Sequence, residues 1–116
     1  MIAVYPAGKL SDADPIRFLR NINALQEWTA HLRELGYAPF PVGDDCADIM
    51  RTHDVSMSAI KEASLTWLRR ADCVFVTPEW ETSQGVRDEI AEAERLKIPV
   101  FYDVEAMGRW ARERGQ

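Results

Sequence analysis

The chain has 116 residues, a net charge of −5, 47% hydrophobic and 28% charged residues. That length allows one domain, residues 1–116, with a core that needs no disulfide staples. The acidic balance and the lack of basic runs exclude bulk nucleic-acid binding by charge. No apolar run approaches a membrane span, so no membrane partner is expected. Cys46 and Cys73 lack metal-ligand spacing, and Cys73, in an apolar strand, reads as a buried free thiol. The start "MIAVYPAG" has no signal-peptide layout, and a cytoplasmic location is expected.

"IAVYPAG" reads as a short buried strand ended by Pro6 and Gly8. After the loop "KLSDADP", Asp14 caps a helix with Pro15 in its first position, and Gly36 stops it. Its apolar stripe is Phe18, Ile22, Leu25, Trp28, Leu32 and Leu35. "YAPFPV" is a second strand, placed at a sheet edge by its prolines. Residues 43–57 are irregular and polar. Their Asp44, Asp45, Cys46, Asp48, His53 and Asp54 read as a solvated lid or as a divalent-metal site without defined ligand spacing. "SAIKEASLTWLRRA" is a helix burying Ile60, Ala63, Ser64 and Trp67. "DCVFVTP" is the third strand, Ser83 to Leu96 the third helix, and "IPVFYD" the fourth strand. "VEAMGRWARERG" closes as a helix with Val104, Met107 and Trp110 inward. Asp72, opening the third strand, reads as structural.

Strands alternating with helices predict a single-domain three-layer α/β/α sandwich on a mostly parallel, Rossmann- or flavodoxin-like sheet of about four strands. Ligands of such sheets bind beyond the carboxyl ends of the strands. Those ends are Tyr5–Gly8, Pro41–Gly43, Thr77–Ser83 and Tyr102–Asp103. Glu89 falls within the apolar arc of the third helix, among Val86, Ile90, Ala93 and Leu96. An interior carboxylate costs several kcal/mol unless paired. It is therefore either a structural acid held by an arginine or backbone amides, or an acid aimed into a cleft. Asn21 sits similarly on the first helix, either bonding nearby backbone or orienting a ligand or Glu89. Of the tryptophans, Trp80 on its loop is the ligand candidate. No glycine-rich phosphate loop, catalytic triad or CxxC motif occurs.

The "YPAG" strand, the helical Asn21, "RADCVFV" and "PEWETSQGVRDEIAEA" together resemble the nucleoside 2-deoxyribosyltransferase superfamily over residues 2–102. The superfamily pattern S/D-x-G-[TVA]-x-x-E-[LIG]-x-x-A is matched by Ser83, Gly85, Val86, Glu89, Ile90 and Ala93. The small phage- and prophage-type domains of that superfamily are the most similar in style. Glu79, Trp80 and Glu81 stand where the family more often has an aspartate-rich turn. The resemblance implies cleavage or transfer at the N-glycosidic bond of a nucleoside or nucleoside 5′-monophosphate, with Glu89 as the nucleophile and no cofactor or metal. The alternative is a non-catalytic nucleotide- or nucleotide-sugar-binding module of the same fold. Substrate contacts are expected from Tyr5, Gly8, Lys9, Arg17, Asn21, Glu79, Trp80, Ser83 and Gly85. Ser83 and Gly85 would meet a phosphate at the helix start, helped by Lys9 and Arg17, unless Ser83 only caps its helix. A homo-oligomer is expected.

Overall fold

The computed structural model describes residues 1–42 and 57–115. Its elements are β1 (Ala3–Ala7), α1 (Pro15–Glu34), β2 (Ala38–Pro39), α2 (Met57–Leu68), β3 (Cys73–Val76), α3 (Gln84–Arg95), β4 (Val100–Phe101) and α4 (Val104–Glu113). All pairings are parallel, in the order β2-β1-β3-β4. This is the expected α/β sandwich in flavodoxin-like order, with proline-bearing β2 at an edge. Residues 43–56, on which the lid and metal readings fall, lie outside the described residues.

Successive strand side chains point to opposite faces, and the core divides accordingly. Tyr5, Ala7, Val74 and Val76 join Leu68 of α2, with Val86, Ile90 and Ala93 of α3. Val4, Cys73 and Phe75 face the other way, onto Leu32 of α1 and Met107 and Ala111 of α4. β1 and β3 at the centre are buried on both faces, which is why both read as continuous apolar runs.

Pro6 lies inside central β1, opposite Phe75, rather than ending it. The residues of β1 alternate between neighbours, and Val4 and Pro6 face β2. Phe40 N–H donates to the Val4 carbonyl at 2.9 Å, but Pro6 has no N–H to return to the Phe40 carbonyl. That carbonyl accepts instead from Val42 N–H at 2.9 Å. The ladder therefore stops, β2 stays two residues long, and the chain turns across the end of the sheet.

Local chemistry sets the helix ends. Asp14 accepts from Ile16 N–H at 2.9 Å ahead of Pro15. Gly36 ends α1 at φ 96°, while Tyr37 N–H reaches back to the Leu32 carbonyl. Ser83 caps α3 by accepting from Val86 N–H at 3.3 Å, and Asp103 caps α4 by accepting from Ala106 N–H at 2.7 Å. Asp72 accepts from Ala3 N–H at 2.8 Å, tying the starts of β3 and β1 together as a structural acid.

Three apolar residues depart from expectation, one of them Ala63, which α2 turns to the exposed side instead of burying. Trp67 is 53% exposed instead of buried. Its ring stacks at 5.1 Å on Phe40, the residue that follows the very short edge strand β2, while Leu68 takes the inward position on α2. Leu35, in the C-cap of α1, has overrun the sheet and is exposed.

Candidate active site

The chain leaves β1 outward to β2 and returns across to β3, so the direction of winding reverses between β1 and β3. A crevice opens at such a reversal, outside the carboxyl ends of the strands. A cavity of about 490 Å³ occupies it, within the usual range for small-molecule sites. The β1 end and the loop entering α3 form one wall, and the inward side of α2 forms the other.

Six of the residues singled out in the sequence meet in this cavity: Tyr5, Gly8, Lys9, Ser83, Gly85 and Glu89. Tyr5 is buried, and its hydroxyl donates to the Glu89 carboxylate. Burial pushes the Glu89 carboxyl up to about 7, with Asp88 adding to the rise and the Tyr5 bond and Lys61 opposing it. Desolvation is the larger influence, so this half-buried acid exchanges its proton near neutrality. Among the described residues, no arginine acts on it, and the arginines of its own helix are engaged elsewhere: Arg87 bonds Gln84, and Arg95 bonds Glu92.

Gly8 owes its identity to packing. A Cβ there would come within 2.4 Å of Leu25 Cδ2 and 2.6 Å of Thr77 Oγ1. Gly85 is open, since a Cβ would meet only Ser83 Oγ, at 3.9 Å. Lys9 Nζ lies 3.4 Å from Thr82 Oγ1, bridging the loops after β1 and β3.

The remaining four residues lie elsewhere. Arg17 is exposed, with Nε 3.9 Å from the Asp14 carboxylate. Asn21 donates to the Leu10 carbonyl at 3.0 Å, fastening the loop whose Leu10 lines the cavity. Glu79 takes the left-handed conformation, φ 67°, in the turn after β3. Trp80 packs on Tyr102 at 5.5 Å, beside the end of β4. Among the described residues, no three His, Cys, Asp or Glu side chains gather as a metal site.

The α2 wall escapes a sequence reading based on core spacing. Ile60, Lys61, Ser64 and Leu65 all line the cavity. Ser64, polar among inward apolar neighbours, is the signal that part of this face is not core. Lys61 Nζ lies 2.6 Å from Asp88 Oδ2, joining the two helical walls.

A parallel sheet in this order, with a cavity at its reversal and a proton-exchanging carboxyl on the cavity wall, is the layout of a doubly wound α/β small-molecule domain. The fold is similar to that of a solved 2-deoxyribosyltransferase from the psychrotolerant bacterium Bacillus psychrosaccharolyticus, with TM-score 0.61 and 16% identity over 84% of this chain and 69% of that one. No family model and no curated protein matches the chain. Among the described residues, no helix is long and apolar enough to cross a membrane.

Proposed function

We propose that this domain cleaves, or transfers the sugar of, the N-glycosidic bond of a nucleoside or nucleoside 5′-monophosphate. Glu89 is the nucleophile. Its carboxylate attacks the anomeric carbon as the carbon–nitrogen bond breaks, and the base departs with the electron pair. Water or an acceptor base then displaces Glu89 from the glycosyl ester. Tyr5 holds the attacking carboxylate in one orientation. The observation that carries this reading is the cavity-lining Glu89, bonded to a buried tyrosine and titrating near 7. Support for the substrate class comes from the likeness to a 2-deoxyribosyltransferase fold and from the Ser83-to-Ala93 pattern.

The open start of α3, with Gly85 unobstructed and Lys9 alongside, suits an anion and favours the 5′-monophosphate. Ser83 also caps the helix, so its hydroxyl would serve both. We also propose a homo-oligomer, since Ile16, Leu19 and Trp67 are exposed apolar residues; the proposed cytoplasmic location rests on the sequence reading alone.

The test is incubation with a panel of nucleosides and 5′-monophosphates, with released base followed by chromatography. Glu89→Ala is expected to abolish release while folding normally. Release that persists in Glu89→Ala overturns the nucleophile. Binding without release in the unmodified protein favours the non-catalytic module instead.

A further inference from the structure

The described lining of the cavity carries two lysines, Lys9 and Lys61, against the single carboxyl of Glu89. That balance is opposite to the chain's net charge of −5. The two ammonium groups lie at different points along α3: Lys9 at Thr82, just before the helix, and Lys61 at Asp88, in its second turn.

Lys61 is the looser of the two walls' charged groups. Its side chain is 56% exposed and that of Asp88 34% exposed. Ion pairs this wet contribute little or nothing net, because water screens them and two flexible chains must be ordered. Asp88 also has a second partner, accepting from Gln84 Nε2 at 2.8 Å, and so is not orphaned when Lys61 leaves. A phosphate entering the cavity offers the ammonium charge-assisted bonds in a drier place, beside the apolar side chains of Ile60, Leu65 and Val86. The flexible four-carbon stem of lysine permits the move without shifting α2.

We propose that Lys61 is a specificity-determining residue of this cavity, leaving Asp88 to pair with the phosphate of a bound nucleoside 5′-monophosphate. Asp88 is the competitor that keeps the ammonium occupied until a phosphate arrives. The inference rests on the nucleotide reading of the site above. No covalent step is involved.

The pair gives the test its direction, because removing either end of a purely structural salt bridge moves both variants the same way. Calorimetry with a nucleoside, its 5′-monophosphate and inorganic phosphate gives the ratio of monophosphate to nucleoside affinity. Lys61→Met is expected to lower that ratio about tenfold, Lys61→Arg to retain it, and Asp88→Asn to raise it. Circular dichroism checks that each variant is folded. A ratio unchanged in Lys61→Met, or changed in the same direction in Lys61→Met and Asp88→Asn, overturns the role of Lys61 and leaves the nucleotide reading standing. Lys61-dependent binding of inorganic phosphate as tight as that of the monophosphate also overturns it, showing an ion site and no substrate selection. If the unmodified protein binds neither nucleoside nor monophosphate, both readings fall together.

Discussion

Glu89 ties stability and activity to pH in opposite directions. Its carboxyl sits at about 7 in the folded protein against 4.5 for an ordinary glutamate. The folded state therefore holds this proton more tightly than the unfolded state, and stability falls as pH rises from about 4.5 to about 7. Such a displacement corresponds to about 3 kcal/mol for a dry site, and water at the half-buried edge reduces it to about 1–2 kcal/mol. Glu89→Gln is expected to match the unmodified protein in urea unfolding near pH 4.5 and to exceed it by that amount at pH 8. Base release, requiring the carboxylate, should rise through pH 7 and level off above it. Equal unfolding midpoints for the two proteins at pH 8 would show that Glu89 is not desolvated. The anomaly of Glu89 was legible in the sequence because one carboxylate interrupts an otherwise apolar arc. Lys61 was not, because a lysine on a helix flank looks the same beside a cavity as beside bulk water.

Two helices end by one geometry with different residues. α1 ends on Gly36 at φ 96° and α3 on Lys97 at φ 60°, each with the following residue's N–H reaching back into the last turn, from Tyr37 to Leu32 and from Ile98 to Ala93. Only glycine adopts this conformation without a steric penalty. Lys97→Gly is expected to raise stability by about 1 kcal/mol and Gly36→Ala to lower it by about the same, read from urea midpoints at constant slope. A loss of stability in Lys97→Gly would mean that the lysine's own contacts outweigh its backbone strain. Cap residues of this kind made α1 and α3 readable to within a residue or two, as with Asp14-Pro15 and Ser83, whereas α2, read as running to Ala71, ends three residues earlier at Leu68. Strand lengths were less readable. Where β2 stops depends on which neighbour the missing N–H of Pro6 faces, and that is a property of the paired sheet.

For the whole molecule, parallel pairing and the edge position of β2 followed from the alternation of elements and the prolines of β2. The path of α2 along the cavity did not follow, since an inward helix face serves core and cavity alike. The expected oligomer is checked by sedimentation velocity at micromolar concentration, where a single 13.2 kDa species would refute it. Cys73 offers a separate view of the assembled sheet. It begins β3, is fully buried, and its thiol is pushed up to about 12 by burial, with Asp72 adding to the rise and Arg114 opposing it. A thiol in that state is almost never the reactive anion, so alkylating reagents reach it only when the central strands part. In a Cys46→Ser background, the labelling of Cys73 becomes a clock for that event. Its rate should slow in proportion to ligand occupancy of the cavity, which lies at the opposite end of the strands, because a ligand held by the closed sheet opposes its parting, turning an inert sulfur into a reporter of binding that requires no turnover. Labelling as fast as that of a free thiol would show that the strand opens locally.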